Sequence, residues 1–135
     1  MRLREVLLVD DSDADLLYGR VILESAGVAQ RVSAFETARE VLDYLQRPEG
    51  HEVDVILLDI NMPEMNGFEF LEAYEQLHRS HQAHAVVVML TSSPDPADRA
   101  RAAAFECVKD YVIKPIDRAQ ALQLPEVVRR ASGAP

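Results

Sequence analysis

The sequence predicts an α/β protein: a doubly wound, five-stranded parallel sheet in the order 2-1-3-4-5, flanked by five helices. Three observations predict it. Apolar runs of strand length recur five times and alternate with stretches of helical periodicity, the pattern of right-handed βαβ units. The middle run, Val53 to Leu58, is largely β-branched and aliphatic, as a strand buried on both faces requires. The 135 residues suit one domain, 1–135, with one sizeable core.

The elements follow in order. Glu5 to Val9 reads as the first strand and ends in Asp10-Asp11. Ser12 can cap a helix whose first turn holds Asp13 and Asp15, both favoured by the helix dipole. Leu16, Leu17, Val21, Ile22 and Leu23 supply its apolar face, and Gly27 stops it. A second strand is expected over Gln30 to Ala34. Thr37-Ala38-Arg39-Glu40 reads as a capping box for a helix reaching about Gln46, with Val41, Leu42 and Leu45 inward. After a polar loop, the third strand ends in Asp59. A turn segment with Pro63 and Gly67 leads to a helix from about Gly67 to Ser80, built on Phe68, Phe70, Leu71 and Leu77. Ala85 to Leu90 is the fourth strand, ending in Thr91-Ser92-Ser93. Pro94 to Pro96 opens a helix to about Phe105. Lys109 to Ile113 is the fifth strand, ending in Lys114-Pro115. Asp117 caps the last helix, which Pro125 should kink or break near Leu124.

Composition narrows the function. The apolar fraction is 48% and the net charge is −9, which argues against nucleic acid or an anionic membrane as a direct partner. Cys107 is the only cysteine, so no internal disulfide forms; it reads as a small buried hydrophobe in a reducing compartment. No apolar run approaches the ~18 residues of a membrane-spanning helix, and residues 1–9 are too short for a signal peptide. The expected location is cytoplasmic. Three histidines, His78, His81 and His84, are spaced for a metal site, but a solvent-exposed run is the better reading because no Cys or carboxylate completes the set. Tyr18, Tyr44 and Tyr74 read as half-buried helix aromatics. Arg99, Arg101, Arg129 and Arg130 read as solvated faces.

The strand ends carry the chemistry. Open α/β sheets place ligands outside the carboxyl ends of their strands, at the switch point, which in this order lies between strands 1 and 3. There the chain offers Asp10-Asp11, Asp59, Thr91 and Lys114. Taken singly, each has a bland explanation: Asp10, Asp11 and Asp59 as turn or cap residues, Thr91 as a turn residue, Lys114 as a surface charge. Together, three carboxylates would repel one another and raise one another's pKa. A hard divalent cation with oxygen ligands and open water positions, Mg²⁺, resolves this. A lysine and a hydroxyl beside such a cluster make a receptor for a phosphoryl group, and Asp carboxylates act as nucleophiles toward phosphorus. Residue chemistry therefore points to metal-assisted phosphoryl transfer onto Asp59. No Gly-rich phosphate loop follows the first strand, which argues against a nucleotide-binding fold.

Asp10-Asp11, Asp59 in LLDINMPEMNG, Thr91 in MLTSS, and Tyr111 with Lys114-Pro115 in DYVIKP together resemble the response-regulator receiver domains of two-component signalling. The resemblance covers about residues 5 to 123. It implies a flavodoxin-like sheet, with Asp59 as phosphoacceptor and Mg²⁺ held by Asp11, Asp59 and the backbone carbonyl of Asn61, Asp10 acting through water. It implies that Lys114 pairs with the phosphoryl oxygens, that Thr91 and Tyr111 are the switch residues, and that Lys114-Pro115 is a cis peptide. The implied protein is a phosphorylation-dependent switch rather than a dedicated enzyme, and the implied partner is a sensor histidine kinase or a phosphotransfer protein. The sequence shows no output domain. With Ser92-Ser93, that makes the chain similar to stand-alone regulators partnered with phytochrome-type kinases. Output through the strand 4–helix 4–strand 5 face, including a homodimer there, follows.

The departures from the pattern are Asn66 before Gly67, Ser92 after Thr91, and Cys107-Val108. Three other readings compete. A haloacid-dehalogenase-like phosphatase needs an Asp two residues after the nucleophile, where Asn61 stands. A flavodoxin-like cofactor carrier needs phosphate-binding Ser or Thr after strand 1, where two carboxylates stand. A phosphorylation-independent adaptor would have no need of the intact quintet.

Overall fold

Strand β3 (Val53–Asp59) lies at the centre of the sheet, where both of its faces are covered. A computed structural model of the chain describes residues 2–79, 85–92 and 95–131. Its elements are β1 (Leu3–Val9), α1 (Asp13–Ala26), β2 (Ala29–Phe35), α2 (Ala38–Leu45), β3, α3 (Gly67–Arg79), β4 (Val86–Thr91), α4 (Pro96–Ala103), β5 (Val108–Ile113) and α5 (Arg118–Ala131). The strands are parallel and ordered β2-β1-β3-β4-β5, as expected.

Two apolar layers sandwich the sheet. On one side Leu16 and Leu23 of α1 and Ala121 and Leu124 of α5 pack with Val6, Leu8, Val55, Leu57 and Val88. On the other, α2, α3 and α4 contribute Val41, Leu45, Phe70, Leu71 and Ala102 over Leu7, Ile56, Leu58 and Met89. Alternate strand residues serve opposite layers because successive side chains of a strand point to opposite faces.

Local signals set the helix ends. Ser12 caps α1 through the Asp15 amide, and Gly27 closes it in the left-handed conformation at φ 67°. Thr37 caps α2, its hydroxyl accepting from the Glu40 amide at 3.2 Å. Asp117 and Gln120 exchange side-chain and amide hydrogen bonds at the start of α5 (2.7 and 3.0 Å), and Asn66 and Glu69 do the same for α3 (2.9 and 3.0 Å). Each is a reciprocal capping box.

Three expectations need correction, and one buried residue was not anticipated. Leu17 and Val21 do not belong to the buried face of α1; they are 66% and 54% exposed. The buried stripe is Leu16, Gly19 and Leu23; Leu17 stands one residue, about 100°, round the helix from Leu16. Gly19 lets α1 lie close on β1, because a Cβ there would sit 3.3 Å from a Leu8 methyl. Pro125 does not break α5, which runs through it to Ala131. Leu124 is buried, and Val127 and Val128 pack on the same core beyond the proline, so tertiary packing outweighs the lost amide. Tyr74 is fully buried rather than half-buried, its hydroxyl donating to the Ala85 carbonyl at 2.7 Å. Glu5, read only as the start of a strand, is also fully buried. It accepts from Ser33 Oγ at 2.7 Å and Tyr44 Oη at 2.8 Å and pairs with Arg31 at 3.3 Å. The spacing of His78, His81 and His84 lies outside the described side chains. Cys107 is buried as expected, and burial pushes its thiol up to about 12.

Candidate functional site

Strand register brings the site together. Val9 pairs with Leu58, Leu58 with Met89 and Met89 with Tyr111. The residues just beyond this row therefore emerge side by side at the carboxyl edge: Asp10 and Asp11 after β1, Asp59 ending β3, Thr91 ending β4, and Lys114 after β5. The Lys114 amide donates to the Thr91 carbonyl at 2.7 Å, and Lys114-Pro115 is cis.

Carboxylate atoms of Asp10, Asp11 and Asp59 lie within 4.8 Å of one another, the only such group of potential metal ligands among the described residues. Asp10 and Asp59 are buried and Asp11 is exposed. Asp10 is fixed by its own loop, accepting from the Ser12 amide at 3.0 Å. Burial, then the neighbouring Asp10, push the Asp59 carboxyl up to about 6, against the opposing pull of Lys114; Asp11 adds a smaller push. Lys114 Nζ lies 2.7 Å from Asp10, 3.0 Å from Asp15 and 3.3 Å from Asp59. Burial alone would lower its pKa, but hydrogen bonds to Asp10 and Asp15 and the charge of Asp59 outweigh it, and the ammonium is held above its ordinary value.

The Asp59–Gly67 connection is held tightly. The Gly67 amide donates to the Ile60 carbonyl at 2.8 Å. A Cβ on Gly67 would come within 2.8 Å of the Asp59 carbonyl oxygen and 2.9 Å of Ile60 Cα. Glu64 takes a left-handed conformation at φ 67°. Asn61 is exposed in this loop, two residues beyond Asp59. Thr91 is buried. The Tyr111 hydroxyl is buried too and, among the described residues, is the one buried side-chain polar atom without a hydrogen bond of good geometry. Burial raises its pKa, the charge of Asp98 raises it further, and the Thr91 hydroxyl facing it opposes them. Arg99 of α4 lies 5.4 Å from the Tyr111 ring centre.

The structure thus gathers Asp10, Asp11, Asp59 and Lys114 into one cluster; Thr91 ends the neighbouring strand β4, and Tyr111 lies on β5. The sequence reading missed Asp15, which it assigned only to the helix dipole. No local pattern signals it: Asp15 lies in the first turn of α1 and meets Lys114 across 99 residues of chain. The donor set fits a hard divalent cation. It offers only oxygens, one carboxylate is open to water, and excess negative charge already raises the proton affinity of Asp59.

The family model for the response regulator receiver domain matches residues 6–125, and the chain belongs to that family. Among its relatives, the two-component response regulator ORR1 of Oryza sativa subsp. japonica is 33% identical over 116 residues, 82% of this chain and 49% of that protein. A probable cyclic di-GMP phosphodiesterase of Vibrio cholerae is 34% identical over 113 residues, 82% of this chain but 23% of that protein. The chain thus spans half or less of the length of these relatives. Among solved structures, a two-component response regulator from Cytophaga hutchinsonii superposes with a TM-score of 0.87 at 27% identity, covering 96% of this chain and 99% of that one. The bacteriophytochrome response regulator AtBRR superposes at 0.75 with 33% identity, covering 95% and 94%.

Proposed function

We propose that this receiver is a phosphorylation-dependent switch that takes a phosphoryl group onto Asp59 from a histidine kinase or a phosphotransfer protein. The observation that carries the reading is the position of Asp59 between Lys114, at 3.3 Å, and the carboxylates of Asp10 and Asp11 within 4.8 Å. One Asp59 oxygen attacks phosphorus; the P–N bond of the donor phosphohistidine breaks and its imidazole leaves with the electron pair. Lys114 pairs with the oxygens of the arriving group. Asp11, Asp59 and the Asn61 backbone carbonyl would hold Mg²⁺, with Asp10 acting through water. Bound there, the ion supplies positive charge against the phosphoryl and carboxylate oxygens.

Thr91, ending β4, supplies a hydroxyl to the new phosphoryl oxygens, and its movement opens room for the ring of Tyr111. The signal then leaves through β4, α4 and β5 to a protein partner or a second copy of the chain. The likeness to AtBRR supports a phytochrome-type kinase as the donor. The role is that of a switch that assists its own phosphoryl transfer, not a dedicated enzyme. Asn61 supports this, since its amide cannot replace the general acid of a dehalogenase-type phosphatase. No helix among the described residues is long and apolar enough to cross a membrane; with the buried thiol of Cys107, that supports work in the cytoplasm.

The test is incubation with acetyl phosphate with and without Mg²⁺, read by intact mass and size exclusion. One phosphoryl mass is expected, dependent on Mg²⁺ and absent in Asp59→Asn. Full labelling of that variant would falsify the phosphoacceptor assignment. Labelling with no change in elution rejects the homodimer and leaves a heterologous partner.

A further inference from the structure

We infer that Asp15 is a positioning residue whose carboxylate occupies, on Lys114, the place that an arriving phosphoryl oxygen must take. The inference rests on Asp59 being the phosphoacceptor. A lysine ammonium has three N–H donors and no more. Here three carboxylates surround it: Asp10 at 2.7 Å, Asp15 at 3.0 Å and Asp59 at 3.3 Å. Asp10 and Asp15 take hydrogen bonds, and Asp59 has the longest contact. A phosphoryl oxygen can reach the ammonium only by displacing one of the three.

Exposure decides which one yields. The side chains of Asp10 and Asp59 are each 6% exposed, whereas that of Asp15 is 48% exposed. A displaced Asp10 would leave a carboxylate in a dry site, at high cost. A displaced Asp15 turns into water at the rim of α1 and recovers hydration. Until it leaves, its negative charge stands at the entrance to Asp59 and opposes an anionic donor. Asp15 therefore gives the unphosphorylated site a resting state in which Lys114 is drawn toward α1, and it slows adventitious labelling by small phosphate donors.

The experiment compares second-order labelling rates of wild type, Asp15→Asn and Asp15→Glu at saturating Mg²⁺, with Lys114→Gln and Asp15→Asn/Lys114→Gln completing a cycle. Asp15→Asn keeps the shape and removes the charge. It should label about three- to tenfold faster with acetyl phosphate at low salt, with the gap closing as screening grows. Phosphoramidate, which carries less negative charge, should gain less, and Asp15→Glu should stay close to wild type. In the Lys114→Gln background the gain should shrink, because the displaced contact no longer exists. In metal-free protein the Lys114 side-chain nitrogen resonance should move in Asp15→Asn while the melting temperature holds. An unchanged or slower rate in Asp15→Asn, a full gain without Lys114, or a stationary Lys114 resonance overturns the inference. Failure of wild type itself to be labelled overturns the underlying phosphoacceptor reading, and this one with it.

Discussion

Lys114 lies closer to Asp10 than to Asp59, 2.7 Å against 3.3 Å. The ammonium thus neutralises Asp10 first. Asp59 is left less compensated, and burial, with the charge of Asp10, pushes its carboxyl up to about 6. Its site is charged in the wrong sense for stability and in the right sense for a cation.

The pH dependence of stability follows with a definite sign. Asp59 binds its proton more tightly when folded than when unfolded, so its contribution to stability is greatest at low pH and is lost as pH rises through about 6. In metal-free protein at pH 7.5, Asp59→Asn should therefore be more stable than wild type by roughly 1–2 kcal/mol, and the difference should vanish near pH 4. Thermal melts in chelator at the two pH values test this. A variant less stable than wild type at pH 7.5 would show that the Lys114 contact outweighs burial.

Asp11 is the exposed member of the cluster. Asp11→Ala should leave the metal-free melting temperature unchanged or slightly raised, because one repelling charge is gone. It should abolish most of the rise that millimolar Mg²⁺ gives wild type. Retention of the full Mg²⁺ shift would remove Asp11 from the ligand set.

Gly67 permits the close return of the loop after Asp59. Gly67→Ala places a methyl against backbone atoms that cannot rotate away. A loss of about 1–3 kcal/mol is expected, with a labelling rate that falls even under conditions where the variant stays folded. Labelling at the wild-type rate would mean that the loop position does not matter to the chemistry.

Two tyrosines should behave oppositely on removal of their hydroxyls. Tyr74→Phe loses the bond to the Ala85 carbonyl and should cost about 1 kcal/mol. Tyr111→Phe removes a buried hydroxyl that lacks a well-formed bond and should be neutral or stabilising by a few tenths of a kcal/mol. Urea melts of both variants decide it; a Tyr111→Phe loss equal to that of Tyr74→Phe would mean that the Tyr111 hydroxyl is well bonded in solution.

Much of this molecule was determined by the sequence alone. Five apolar runs, alternating with capped helical stretches, dictate a parallel sheet because each element must bury its apolar face against the next. The boundaries agree because capping residues such as Ser12, Thr37 and Asp117, and the helix stop Gly27, act locally, through hydrogen bonds and φ preferences that neighbouring residues decide. The gathering of Asp10, Asp11, Asp59, Thr91 and Lys114 was legible because they share one feature, the end of a strand, and strand order converts that feature into proximity. What only the tertiary structure decided depends on distances across the chain. The phase of α1, which turns Leu17 and Val21 outward, is set by where β1 accepts Gly19. The continuity of α5 through Pro125 is set by packing beyond the proline. The burial of Glu5 depends on Ser33 and Tyr44, 28 and 39 residues away. The hold of Asp15 on Lys114 spans 99 residues. No local pattern encodes such a contact, because an ion pair's worth depends on separation and burial, and both exist only once the sheet has closed.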